Sequence, residues 1–62
     1  MYSCHAEIYH KNGTVTEVAH WNGGSLEVIK QQCMQQAKQI FDQEMRTLQD
    51  PFKPTHIQIV VD

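Results

Sequence analysis

The sequence predicts a two-layer α+β fold, a ββαβ sandwich in which one long helix covers one face of a three-stranded sheet. Three patterns indicate this: residues 2–10 alternate between apolar and polar side chains, residues 26–48 place apolar side chains at helical spacing without Gly or Pro, and residues 55–62 alternate again. A chain of 62 residues is short enough to form a single domain, residues 1–62.

A hairpin is predicted between the first two strands. Asn12-Gly13 follows the alternating run and favours a two-residue type I′ turn, in which both residues adopt positive φ. Residues 14–21 are rich in β-branched residues and suit a second strand. A two-residue loop pairs residues whose numbers sum to 25. The predicted pairs are Cys4–Trp21, Ala6–Ala19 and Ile8–Glu17 on the covered side, and His5–His20, Glu7–Val18 and Tyr9–Thr16 on the open side.

The helix is predicted to begin after Ser25, whose hydroxyl can accept a hydrogen bond from an early backbone N–H group. It is predicted to end at Asp50-Pro51, because proline cannot continue a helix. The last strand can lie antiparallel beside strand 1 (order 2-1-3) or parallel beside strand 2 (order 1-2-3). We favour order 2-1-3, since it leaves one face of the sheet open to solvent, as the alternation of strand 1 suggests.

Composition excludes several classes of protein. The formal net charge of −2 argues against a strongly electrostatic nucleic-acid binder, and no apolar run approaches the roughly 20 residues of a membrane span. Cys4 and Cys33 lie far apart and outside any CxxC pattern. We interpret them as free thiols of a cytoplasmic protein, with a single disulfide as the alternative.

The open face of the sheet is the predicted binding surface, formed by His5, Glu7, Tyr9, His20 and His56. Its aromatic and imidazole rings could stack on bases, so a nucleic-acid-binding accessory protein is an alternative. A third hypothesis is a metal site in which His5, His20 and His56 cluster near Glu7. No arrangement of residues matches a nucleophile with its base or a phosphate-binding loop. We therefore expect neither an enzyme nor a cofactor.

The C-terminal end of the helix is a second predicted contact surface. A helix of about 23 residues is longer than strands of about 8 residues, so its end should project beyond the sheet. Partner contacts are predicted there for Glu44, Met45, Leu48 and Phe52. Strand 3 would also form an unprotected sheet edge, and such edges tend to pair. The leading hypothesis is therefore a small homodimeric interaction or regulatory module acting through protein–protein contacts, such as a bacterial or phage accessory protein.

Overall fold

The computed structural model describes all 62 residues, Met1–Asp62, and has the predicted α+β architecture. Its elements are β1 (Tyr2–His10), β2 (Val15–Gly23), α1 (Leu26–Thr47), a short 3-10 helix (Asp50–Phe52) and β3 (Pro54–Val61). The strands form one antiparallel sheet in the order β2-β1-β3, which confirms the favoured order.

The core lies between β1 and one face of α1. Cys4, Ala6 and Ile8 alternate along β1 and are almost completely buried. Ile29, Cys33 and Ala37 lie about one turn apart on α1, so they form a single buried stripe facing the sheet. Val18, Trp21, Ile57 and Ile59 pack around this centre from β2 and β3. Only 10 of the 62 residues are buried, and the core is small, as a domain of this length leads us to expect.

Both ends of α1 follow from local chemistry. The Ser25 hydroxyl accepts a hydrogen bond from the backbone N–H group of Val28, as predicted. At the other end, the backbone N–H group of Leu48 donates to the carbonyl of Glu44, and the 3-10 helix containing Pro51 follows. Residues 45–47, the last helical turn, are exposed. The helix is not apolar enough along its length to cross a membrane.

The hairpin turn differs from the predicted type I′ turn. Gly13 has a φ of +89°, but Asn12 does not have a positive φ. The backbone N–H group of Gly13 donates to the carbonyl of His10, and that of His10 donates to Thr14, which closes a three-residue loop. The Asn12 side chain accepts from the N–H group of Thr14. The extra loop residue shifts the strand register by one position.

The predicted register is therefore correct at one end of the hairpin and wrong at the other. Next to the turn the observed pairs are Ala6–Val18, Glu7–Glu17, Ile8–Thr16 and Tyr9–Val15. A bulge at Ala19 and His20 then restores the predicted Cys4–Trp21 pair. The physical reason is Glu17, which the predicted register placed on the helix side. Burying a carboxylate is costly, and the observed register moves Glu17 to the open face.

The two cysteines are free thiols, as predicted, and both are buried between β1 and α1. Their Sγ atoms lie 3.1 Å apart, and the Cys33 thiol donates to the carbonyl of Ala19 at 3.0 Å. Burial, together with the neighbouring Cys4 thiol, raises the pKa of Cys33 to about 12. This thiol is therefore protonated at neutral pH and is not an activated nucleophile.

Candidate binding face of the sheet

The predicted binding residues all belong to the face of the sheet that α1 leaves uncovered. His5, Glu7 and Tyr9 alternate along β1 with the residues that pack under the helix. His20 of β2 stacks on His5, with ring centroids 5.3 Å apart. His56 of β3 stacks on Tyr9, with centroids 4.5 Å apart and nearly parallel rings. The face thus carries two separate ring pairs.

The three imidazoles considered as a metal site do not come together. His5 and His20 are neighbours, as expected, although a bulge brings them there instead of a direct pair. His56 pairs with Tyr9, four residues further along β1 than His5. Four strand residues span about 13 Å, so His56 cannot share a ligand with the other two histidines.

His5 is the most enclosed polar residue of this face, with only 8% of its surface exposed. Its Nδ1 atom lies 2.8 Å from a carboxylate oxygen of Asp62, whose other oxygen accepts a hydrogen bond from the Ser3 hydroxyl. The Ser3 hydrogen bond, followed by that of His5, lowers the pKa of Asp62. A carboxylate only accepts, so Nδ1 of His5 carries a proton and donates it.

The opposite ring nitrogen of His5 faces two glutamates. Its Nε2 atom lies 3.9 Å from Oε2 of Glu7 and 3.8 Å from Oε1 of Glu17. These distances exceed a hydrogen bond, and Nε2 is buried without a hydrogen-bond partner. Glu7 and Glu17 are direct cross-strand partners on β1 and β2. Glu17 and Asp62 were not among the predicted site residues; the wrong register had placed Glu17 on the covered side.

Tyr9 fixes the orientation of Glu7. The Tyr9 hydroxyl donates to Oε1 of Glu7 at 3.0 Å, which leaves Oε2 directed towards His5. This hydrogen bond is the main reason why the pKa of Tyr9 is raised. The carboxylates of Glu7, Glu17 and Asp62 therefore converge around one imidazole, so this part of the face attracts cations and repels phosphate groups.

The helix end carries a second ionisable pair, on the covered side of the sheet. His10 donates from Nε2 to the Glu44 carboxylate at 2.9 Å and from Nδ1 to the Thr14 carbonyl at 3.0 Å. The pair borders an open cavity of about 260 Å³ whose lining includes Thr16, Leu48 and Phe52. His10 was not singled out from the sequence. The available signal was the alternation of β1, which places His10 on the same side of the strand as the core residues.

The predicted contact residues of the helix end have different environments. Glu44 is half-buried against His10, and Leu48 is half-buried at the cavity. Met45 and Phe52 are 42% and 53% exposed, which is high for large apolar side chains. Within this group, Met45 and Phe52 therefore have the most apolar surface left for a partner to bury.

Comparison of the chain with protein-family models, with curated proteins and with solved structures found no match.

Proposed function

We propose that this protein is a small non-catalytic interaction module whose first partner is a second copy of itself, bound along the outer edge of β3. The observation that carries the proposal is the character of that edge. β3 pairs only with β1, and its register is regular from His56 to Val61. No Lys, Arg, Asp or Glu occurs in Pro54–Val61. Sheet edges without charges or bulges tend to pair with another strand.

The other edge of the sheet is protected, which makes β3 the favoured side. β2 contains the bulge at Ala19 and His20, and Ala19 has a φ of 60°. β2 also carries the exposed charge of Glu17. Bulges and charged side chains are the usual devices that prevent strand addition. A second chain would therefore extend the sheet at β3 and not at β2.

The backbone groups along the β3 edge are in position for such pairing. The N–H group of Asp62 donates to the carbonyl of Ser3 on β1. Because successive N–H groups of a strand point to opposite sides, those of Ile57, Ile59 and Val61 point away from β1. An antiparallel second copy of β3 would satisfy these donors and carbonyls without any change of fold.

Apolar side chains accompany this edge. Ile57, Ile59 and Val60 are only half-buried, and Val61 is 46% exposed. Gln36 of α1 accepts a hydrogen bond from the ring N–H group of Trp21 on β2, so the flank of α1 that contains Gln36 lies towards β2. The opposite flank of the helix therefore lies towards β3. Helical spacing places Met34, Phe41 and Met45 on that flank. A second copy would bury part of this surface and enlarge the core of each chain.

The charges of the open face favour a protein partner over a nucleic acid. Glu7, Glu17 and Asp62 surround His5, and none of the strand residues on this face is Lys or Arg. Phosphate binding draws its affinity from basic side chains.

The free thiols of Cys4 and Cys33 support a reducing compartment such as the cytoplasm as the place of action.

Sedimentation equilibrium of the wild type and of Gln58→Lys tests the proposal. Gln58 is exposed at the middle of β3, and an introduced lysine would face Glu7 across the sheet, so the fold of one chain is preserved. We expect the wild type at micromolar concentration to sediment at twice the 7.2 kDa of one chain. We expect Gln58→Lys to raise the dissociation constant by about tenfold or more, because a lysine on an edge strand opposes the addition of another strand.

Gln35→Lys is the matched control, because it makes the same change on the exposed outer face of α1. It should sediment like the wild type. A wild type that remains at 7.2 kDa up to near-millimolar concentration would contradict the proposal. Equal dissociation constants for the two lysine variants would also contradict it, since the interface would then lie away from β3.

A further inference from the structure

The two glutamates beside His5 place like charges close together. Glu7 and Glu17 are directly opposite each other in the sheet, and like charges in that position are destabilising. Glu7 is also partly withdrawn from solvent, with 23% of its side chain exposed. The neighbouring Nε2 atom of His5 is buried and has no partner. Two carboxylates and one ring nitrogen thus face a common point.

A proton on Nε2 does not explain this geometry. A charged N–H group bonded to a carboxylate lies about 2.7–2.9 Å from the oxygen. Here the distances from Nε2 are 3.9 Å to Glu7 and 3.8 Å to Glu17. The imidazole forms no hydrogen bond to either glutamate, although both carboxylates are close enough to bind an ion placed between them and Nε2.

The spacing suits a metal ion. A tetrahedral ion with bonds of about 2.0–2.1 Å holds its ligand atoms about 3.3 Å apart. The three candidate ligand atoms here lie within 4.8 Å of one another. Glu17 has 61% of its side chain exposed, so it has room to move inward by about 0.5–1.5 Å, which separates these spacings from those of a tetrahedral ion. The same exposure leaves a fourth position open to water.

Three further residues contact the candidate ligands and orient them, as the hydrogen-bonding partners of metal ligands do in known metal centres. Asp62 accepts a hydrogen bond from Nδ1 of His5, and in the neutral ring this tautomer leaves the lone pair on Nε2. Tyr9 donates to Oε1 of Glu7 and thereby presents Oε2. His20 stacks on the His5 ring and limits its rotation. Each of these contacts orients a ligand towards the same point.

We propose that His5, Glu7 and Glu17 form a binding site for a divalent transition-metal ion of the zinc class. The ligand atoms are Nε2 of His5, Oε2 of Glu7 and Oε1 of Glu17. The imidazole selects zinc-like ions over Mg²⁺ and Ca²⁺, which prefer ligand sets made only of oxygen. The three ligands lie on β1 and β2 and none lies on β3, so the site does not require self-association.

Titration of the full chain with Zn²⁺ tests this site, with calorimetry for affinity and ¹⁵N NMR of the histidine rings for location. We expect one ion per chain and a large shift of Nε2 of His5. The ring nitrogens of His56 and the Cβ resonances of both cysteines should remain unchanged. Glu17→Gln removes one ligand at an exposed position that does not support the fold. We expect it to weaken binding by about tenfold or more.

Glu27→Gln is the matched control, since Glu27 is an exposed glutamate in the first turn of α1. It should bind Zn²⁺ like the wild type. Three results would overturn the site: no saturable binding up to millimolar Zn²⁺, equal affinities for the two glutamine variants, or shifts confined to His56 or the cysteines. Sedimentation of the metal-free chain decides the dimer separately, so the two proposals can fail independently.

Discussion

His10 is a buried residue whose protonation state is set by its neighbours. Both ring nitrogens face groups that only accept hydrogen bonds, the Thr14 carbonyl and the Glu44 carboxylate. The ring can satisfy both only when it carries two protons. The Glu44 hydrogen bond, helped by Thr14 and opposed by burial, raises the pKa of His10 above its ordinary value of 6.5. This contact ties the end of β1 to the end of α1.

The His10–Glu44 pair should make stability depend on pH. A raised pKa in the folded state stabilises the protein fully below the ordinary pKa, and the contribution is lost as the pH rises through the folded value. Glu44→Gln should therefore lower the free energy of unfolding by about 1 kcal/mol at about pH 5.5 and by clearly less at about pH 8.5. Urea denaturation at the two pH values measures the difference.

Asp42→Asn is the control for this prediction, because Asp42 is an exposed acidic residue of the same helix. Its effect on stability should be small at both pH values. The explanation fails if the destabilisation by Glu44→Gln is the same at both pH values, or if an NMR titration finds the pKa of His10 unchanged in that variant.

At the scale of elements, β2 and α1 meet closely at Gly23. A Cβ atom at this position would lie 2.8 Å from Cγ2 of Ile29, a buried core residue, whereas one at Gly24 would meet nothing within 4 Å. Gly23→Ala should therefore cost about 1–3 kcal/mol through overpacking. Gly24→Ala should change stability by less than about 0.5 kcal/mol. Thermal unfolding of the two variants measures the contrast, and equal midpoints would show that the junction is not tightly packed.

The elements could be predicted from the sequence because each has a clear periodicity. The alternation of β1, the capping Ser25 and the Gly- and Pro-free run of α1 gave element boundaries close to those observed. The strand order followed from a general preference: a sheet with one solvent-exposed face is usually antiparallel, and only the order 2-1-3 makes every pairing antiparallel. The element boundaries depend on local patterns, which are the primary signals of secondary structure in a sequence.

The register of the hairpin could not be predicted from the turn alone. Asn12-Gly13 suits both a two-residue type I′ turn and a three-residue loop with Gly13 at positive φ. The bulge at Ala19 could not be predicted either, because a positive φ costs about 1–2 kcal/mol for a residue other than glycine. It allows both Val18 and Trp21 to pack against the core. Because the register was wrong, the pairing of Glu7 with Glu17 was missed.

At the scale of the whole molecule, the distribution of surfaces supports the proposed self-association. The chain measures 38 × 18 × 12 Å and buries few residues, while several large apolar side chains stay exposed. Its open face is polar and already linked by hydrogen bonds among Ser3, His5, Glu7, Tyr9 and Asp62. The outer edge of β3 pairs with no other strand of the chain, and β3 contains no Lys, Arg, Asp or Glu. Self-association along this edge would complete the structure and leave the His5 site accessible.

Hydrogen exchange of the backbone amides along β3 tests the proposed self-association most directly. The amides of Gln58 and Val60 point towards β1 and should be protected at every protein concentration. Those of Ile57, Ile59 and Val61 point outward, and we expect their protection to rise as the protein concentration rises through the dissociation constant. Fast exchange of these three amides at every concentration would contradict a dimer formed along β3.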